Sequence, residues 1–260
     1  MTGTMERNAL PLGVRIDSAR TYARRFLPAP SGAPRPFFIF GQGRSGSTLL
    51  CNLLNSHPDV YCESEILYHR RLAPLSFALG RRNRAPSDKM YGFKVKVYQL
   101  DDVQTRTNAD TFVHQLANDH RWRLIFLWRK EILRQTVSAI MAWKKGLWHA
   151  QKNEQEAVER TVRLDPDHVI DSLHFRIRNL KRERELIADL PHEVVTYETD
   201  LLLPEDQQPT LSRLFTFLDL PDHQVETSLR KTSKPDPSTQ IENFDEIRDA
   251  ILENGLGEYL

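Results

Sequence analysis

From residue 37 onward, the apolar positions of the chain predict short buried strands that alternate with amphipathic helices. Apolar or alternating runs predict strands at 37–40, 91–97, 122–128 and 193–197, and a short extended piece at 60–62. Helical spacing of apolar residues predicts a helix beginning at residue 47 and further helices at 66–79, 111–120, 132–143, 168–190 and 211–218, with Pro74 breaking the helix at 66–79. This alternation is typical of a parallel sheet that is covered on both faces. We therefore predict a single α/β domain over residues 37–260.

Residues 1–36 differ from the rest and are predicted to be an N-terminal extension and linker. Residues 9–27 form a basic, weakly amphipathic stretch, and residues 28–36 are rich in Pro, Ala, Gly and Ser. We expect this stretch to be a packed or frayed helix, with peripheral contact to an anionic membrane surface as the alternative. Because no run approaches 18 apolar residues, we expect no transmembrane span.

A glycine-rich loop connects the first predicted strand to the first helix of this domain. Its glycines and the following threonine, Gly41, Gly46 and Thr48, fit the phosphate-binding pattern G-x-x-x-x-G-K-[ST]. Ser47 stands where that pattern has lysine, and the nearest cation is Arg44, inside the loop. Such a loop binds an anion with backbone N–H groups and a helix N-terminus. The sequence therefore predicts a P-loop-type sheet whose ligand is a phosphorylated donor other than ATP.

Cations follow or line two of the predicted strands. The strand at 122–128 is followed by Arg129 and Lys130, where a magnesium-dependent nucleotide enzyme usually has an aspartate. Lys94 and Lys96 share one face of the strand at 91–97. Because ligands of open parallel sheets bind outside the carboxyl ends of the strands, these cations would collect beside Arg44 and hold a multiply anionic nucleotide without a metal. The alternative is that the lysines form the solvent face of the strand and that Arg129 is a surface charge.

The composition bears on two properties: whether the protein binds nucleic acid, and whether its compartment is oxidising or reducing. Charged residues make up 27% of the chain and its formal net charge is +1, so we expect no nucleic-acid partner. Two cysteines, Cys51 and Cys62, form neither a disulfide framework nor a set of metal ligands. A reducing, cytoplasmic location fits this cysteine usage best.

Taken together, the loop and the second strand end resemble the sulfotransferases that use 3′-phosphoadenosine 5′-phosphosulfate. Residues 41–50 (GQGRSGSTLL) resemble their 5′-phosphosulfate loop, and residues 127–138 (LWRKEILRQTVS) resemble their 3′-phosphate element. The likeness is to bacterial carbohydrate sulfotransferases of the nodulation-factor and trehalose types, and it extends over roughly residues 37–260. It implies metal-independent transfer of a sulfuryl group to a hydroxyl of a carbohydrate or glycolipid, with the nucleotide as co-substrate.

The resemblance also implies roles for individual residues of the donor site. The 5′-phosphosulfate would be held by Gly43, Arg44, Ser45, Gly46, Ser47 and Thr48. Arg129 and Ser138 would hold the 3′-phosphate, but the family usually separates its arginine and serine by eight positions and these two are nine apart. Lys130 has the family spacing, so Arg129 and Lys130 both remain candidates. A lysine offers a point charge where an arginine offers a bidentate fork.

The catalytic residues that the resemblance implies are Arg44, Lys94 and a general base. Glu65 matches a glutamate of the trehalose type and is our candidate for the base; a carboxylate among apolar neighbours can have a raised pKa that suits this role. The alternative for Glu65 is an acid at a helix N-terminus. Glu63, two residues earlier, is the competing base, and His57 is a weaker candidate that more often forms a turn.

Two other functions and one other feature remain open from the sequence. A small-molecule kinase would need a loop lysine and a metal-holding carboxylate, and neither is evident. A non-catalytic nucleotide-binding protein would keep the loop without turnover. Trp143 and Trp148 would form a platform on which a sugar acceptor stacks, or else pack in the core.

Overall fold

The structure, a computed structural model, describes residues 12–27, 34–145, 161–227 and 237–260. In these residues the strands are β1 Phe37–Phe40, β2 Val60–Glu63, β3 Met90–Val95, β4 Arg123–Trp128 and β5 His192–Thr196. The helices are α1 Leu12–Arg24, α2 Ser47–Leu54, α3 Pro74–Arg82, α4 Ala109–His114, α5 Ile132–Lys145, α6 Pro166–Ile187, α7 Pro204–Phe217 and α8 Phe244–Glu253. The strands form one parallel sheet in the order β2-β3-β1-β4-β5. The predicted α/β class with a parallel sheet flanked by helices is confirmed.

The central strand β1 is buried on both faces, which explains its continuous apolar run. Phe38 and Phe40 pack into a core with side chains of β3 and β4, whereas Phe37 and Ile39 pack on the opposite face against α2 and α7. All four side chains are at most 1% exposed. Burial of each such side chain stabilises the fold by roughly 1.5–3 kcal/mol. The loop that follows β1 is therefore held at the carboxyl edge of a rigid strand.

Two sequence predictions about the fold differ from the structure. Of the helix predicted at 66–79 with a break at Pro74, only the part from Pro74 onward forms, because proline at a first helical position has no N–H to lose and a preset φ. The sequence predicts an interior strand at 193–197, but among the strands that the structure describes β5 lies at the edge of the sheet and pairs only with β4. Val194 is 39% exposed and only Val195 of this strand is buried, so two adjacent valines do not require an interior strand.

The N-terminal helix α1 packs against α3. Thr21 is fully buried, and a Cβ atom at Gly80 would lie 1.9 Å from the carbonyl oxygen of Thr21, so α1 and α3 approach closely. The ring of Tyr22 also meets the ring of Phe77 edge-on at 5.6 Å. The predicted division of the chain at residue 36 stays a prediction. Among the described helices, none is long and apolar enough to cross a membrane.

Candidate active site

The glycine-rich loop has the backbone geometry of a tight turn between β1 and α2. Gly46 and Arg44 have φ angles of 91° and 65°, in the left-handed region that favours glycine. A Cβ atom at Gly46 would lie 2.5 Å from Cδ2 of Tyr197, so this position also lacks room for a side chain. The Ser45 hydroxyl closes the loop by donating to the carbonyl of Gln42 at 2.7 Å. Because Gly46 precedes α2 and has no capping side chain, the first N–H groups of α2 remain available to an anion.

Arg44 connects the glycine-rich loop to α5. The resemblance assigns the loop to the 5′-phosphosulfate and the start of α5 to the 3′-phosphate. Its Nε donates to the Ser138 hydroxyl on α5 at 3.0 Å. Burial lowers the pKa of Arg44, and the neighbouring charge of Arg129 lowers it further. The loop and the start of α5 therefore form one cationic site.

Of the two cations after β4, only Arg129 is observed in contact with the loop. Its guanidinium, 8% exposed, donates to a carboxylate oxygen of Glu198 at 3.1 Å and to the Arg44 carbonyl at 3.5 Å. It also lies over the Tyr197 ring, 4.7 Å from its centre. The side chain of Lys130 is exposed, and its backbone N–H donates to Glu198 at 2.9 Å.

Lys94 lies inside the site and not on a solvent face of β3. It is 4% exposed, and its Nζ donates to the Thr48 hydroxyl at 3.0 Å. Glu65 Oε1 is 3.9 Å from the same ammonium group. Burial lowers the pKa of Lys94, an effect that the attraction of Glu65 partly opposes. The solvent-face alternative for this lysine is therefore wrong.

Glu65 is surrounded by polar groups and not by the apolar neighbours suggested by the sequence. One carboxylate oxygen, Oε2, is 2.7 Å from both the Lys96 ammonium and the Gln99 side-chain amide. Burial lowers the pKa of Lys96, but the attraction of Tyr98 and Glu65 more than offsets it, and the pKa is raised. Glu65 also does not begin a helix, because the next helix starts at Pro74. The side chain is thus held by two lysines beside the loop.

The two competing bases have other partners. The Glu63 carboxylate accepts from Arg81 at 2.9 and 2.6 Å and from the Tyr91 hydroxyl at 3.4 Å. His57 is 1% exposed; its Nδ1 accepts from the Asp59 N–H and its Nε2 is 3.0 Å from the Pro221 carbonyl. Both side chains therefore stabilise local structure.

Sequence reasoning missed a group of side chains on α5 and α6 that form hydrogen bonds with Gln42 and Gly43 of the loop. The Gly43 carbonyl accepts from Gln135 Nε2 at 2.9 Å and from Arg176 Nη1 at 3.1 Å. The Gln42 side-chain amide donates to the Arg176 carbonyl at 3.0 Å and to the Glu183 carboxyl at 3.4 Å. Charged residues are frequent along α6, so no sequence signal distinguished Arg176 and Glu183 from surface charges.

These two residues have strongly shifted pKa values. Complete burial raises the pKa of Glu183 to about 8, so its carboxyl is mostly protonated at neutral pH. Burial lowers the pKa of Arg176 to about 10, and the repulsion of Arg129 and Arg44 acts in the same direction. Positive charge therefore exceeds negative charge behind the loop.

The remaining sequence suggestions concern the acceptor and metals. Trp143 on α5 is 71% exposed, so the core-packing alternative is wrong for it, and Trp148 lies outside the described residues.

Within the described ranges, no three His, Cys, Asp or Glu side chains come together as a metal site would require.

Comparison with known proteins gives a family for the segment that contains the loop. Residues 36–127 match the model of the Sulfotransferase family. A solved structure of a sulfotransferase from Alicyclobacillus acidocaldarius is 14% identical, covers 86% of this chain and 96% of its own, and has a TM-score of 0.49. No curated protein sequence matches the chain. The matched segment, residues 36–127, includes the loop, Glu65 and Lys94, and its similarity to the Sulfotransferase family agrees with the resemblance that the motifs predicted.

Proposed function

We propose that this protein transfers a sulfuryl group from 3′-phosphoadenosine 5′-phosphosulfate to a hydroxyl of a carbohydrate or glycolipid acceptor, without a metal. The observation that carries the proposal is the position of Lys94, whose Nζ is 3.0 Å from Thr48 Oγ1 and 3.9 Å from Glu65 Oε1. A cation thereby joins the anion-binding loop to a carboxylate that can accept a proton. Sulfuryl transfer needs these groups side by side.

The donor would bind along the loop and the start of α5. Its 5′-phosphosulfate would accept from backbone N–H groups and side chains of Gly43, Arg44, Ser45, Gly46, Ser47 and Thr48. Ser138 would contact the 3′-phosphate, as the resemblance implies, and its hydroxyl lies beside the loop, 3.0 Å from Arg44 Nε. Arg129 is the better candidate for the second contact, since it is buried against the loop while Lys130 is exposed.

In the reaction, a bond forms between the acceptor oxygen and sulfur as the bond from sulfur to the bridging oxygen breaks. Glu65 would take the proton of the acceptor hydroxyl as general base. Lys94 and Arg44 would stabilise the negative charge that develops on the leaving phosphate. We prefer Glu65 to Glu63 because Arg81 makes two hydrogen bonds to the Glu63 carboxylate.

The acceptor class and the cytoplasmic location rest on other features. The carbohydrate or glycolipid acceptor follows from the motifs shared with the nodulation-factor and trehalose types, and the exposed Trp143 would offer a face on which a sugar stacks. Cys51 and Cys62 are free buried thiols, which supports a reducing compartment.

Calorimetric titration with 3′,5′-adenosine bisphosphate in EDTA tests the donor site directly. We expect tight binding without metal, and weaker binding of ATP with magnesium in a parallel titration. Failure to bind the bisphosphate, or a preference for magnesium-ATP, would contradict the proposal. Sulfuryl transfer to a panel of sugars and glycolipids then tests the acceptor class.

A further inference from the structure

Three arginines from three parts of the chain converge on the loop. Arg176 on α6 donates to the Gly43 carbonyl at 3.1 Å, and Arg129 after β4 donates to the next carbonyl, that of Arg44, at 3.5 Å. The third guanidinium is that of Arg44, which contacts Ser138. Consecutive loop carbonyls are thus each contacted by a cation, an arrangement that concentrates positive charge beside the loop backbone.

Arg129 forms an ion pair with a carboxylate, and Arg176 differs from it in this respect. Arg129 forms an ion pair with Glu198. Among the residues that the structure describes, no carboxylate forms an ion pair with Arg176. Glu183 lies two turns further on the same face of α6, but its buried carboxyl keeps its proton at neutral pH. Because no described carboxylate forms an ion pair with the partly buried Arg176, its charge is poorly balanced, which costs free energy in the protein without ligand.

We propose that Arg176 is a positioning residue of the donor site, whose charge the bound nucleotide compensates. It holds the Gly43 carbonyl from the side of α6 and adds a third positive charge behind the loop. A ligand with several negative charges, such as a nucleotide bisphosphate, would supply the missing counter-charge. This inference rests on the proposed function, since it assumes an anionic donor at the loop.

If Arg176 served only to tether the Gly43 carbonyl, its variants would differ in ligand affinity and stability from those expected for a charge effect. Gln135 contacts the same Gly43 carbonyl oxygen at 2.9 Å and has no charge. If only the tether mattered, Gln135→Met and Arg176→Gln would have similar effects on both binding and stability. If the charge matters, Arg176→Gln weakens anion binding without destabilising the free protein, and Arg176→Lys retains most of the affinity.

The experiment compares Arg176→Gln with Arg178→Gln, which removes the same charge from an exposed position of α6. Calorimetry measures the Kd of 3′,5′-adenosine bisphosphate at low and moderate salt, and thermal unfolding measures the Tm without ligand. We expect Arg176→Gln to weaken binding about tenfold at low salt, because nearby charges interact strongly where screening is weak. Its ligand-free Tm should be unchanged or raised. We expect Arg178→Gln to change the Kd by less than about twofold.

Several outcomes would overturn the inference. One is an unchanged Kd for Arg176→Gln, and another is a weakened Kd with a lowered Tm that Gln135→Met reproduces. A loss of affinity in Arg176→Lys as large as in Arg176→Gln would also contradict a role for the charge. If wild-type protein fails to bind the bisphosphate, the proposed function fails separately. The inference is then decided with inorganic pyrophosphate, whose binding must weaken in Arg176→Gln and not in Arg178→Gln.

Discussion

The Nε atom of Arg44 lies 3.0 Å from the Ser138 hydroxyl, although the two residues are 94 positions apart in the chain. This contact joins the glycine-rich loop after β1 to the helix after β4, which are adjacent strands of the sheet. In the proposed function the two residues would contact opposite phosphate groups of one nucleotide. The contact therefore links two side chains that the proposed donor site assigns to different phosphate groups, and it leads to the first prediction.

Replacing Arg44 should weaken the binding of 3′,5′-adenosine bisphosphate by roughly a hundredfold, because charge-assisted hydrogen bonds are lost. Arg44→Ala tests this by calorimetry. Arg44→Asn is the better-folded companion, since asparagine tolerates the left-handed φ of 65° at this position. Ser138→Ala should cost about tenfold in affinity. Unchanged affinity in both Arg44 variants would rule out the assignment of the loop.

Glu65→Gln should lower the rate of sulfuryl transfer by roughly a hundredfold or more, because the acceptor proton loses its base. Nucleotide binding should stay near that of the wild type, as calorimetry would show. Glu63→Gln is the matched control: it should reduce the free energy of unfolding by about 1–3 kcal/mol through loss of the Arg81 pair, while transfer continues. If the two variants exchange these effects, the base is Glu63.

Glu183 should make the stability of the protein depend on pH. Its pKa is about 8 in the folded protein and is 4.5 for an ordinary glutamate, so the folded state holds a proton that the unfolded state releases. The stabilisation is complete below pH 4.5 and is lost as the pH rises to about 8, at about 1.4 kcal/mol per pH unit or less. Glu183→Gln keeps the shape of the protonated side chain and should flatten this dependence. Urea unfolding between pH 5 and pH 8 measures it; equal slopes in the two proteins would refute the assignment.

Gly46→Ala should destabilise the protein more than Gly255→Ala does. Both glycines have positive φ angles, 91° and 69°. A Cβ atom at Gly46 would collide with the Tyr197 ring, whereas one at Gly255 would have no atom of the described residues within 4 Å apart from its chain neighbours. We expect losses in the free energy of unfolding of roughly 2–4 kcal/mol and about 1 kcal/mol, respectively. Denaturant titration of both variants measures the difference, and similar losses would show that the Tyr197 contact is unimportant.

Local patterns in the sequence were sufficient to predict the order of strands and helices and the loop between β1 and α2. Apolar periodicity and glycine positions act over a few residues, so they can be interpreted without the fold. The resemblance to sulfotransferases rested on the same local motifs, and the family match over residues 36–127 confirmed it.

Tertiary structure alone decided which charged side chains lie inside the site. Lys94 alternates with apolar residues in the manner of a solvent-facing lysine, yet it is buried because α2 covers its face of β3. Likewise, Glu63 and Glu65 differ in their tertiary partners: Arg81 of α3 holds Glu63, whereas Lys96 holds Glu65. Arg176 contacts the loop from 133 positions away. The other arginines of α6 are exposed or contact different partners. Such contacts depend on how distant elements pack against the sheet, and no pattern within a single element contains that information.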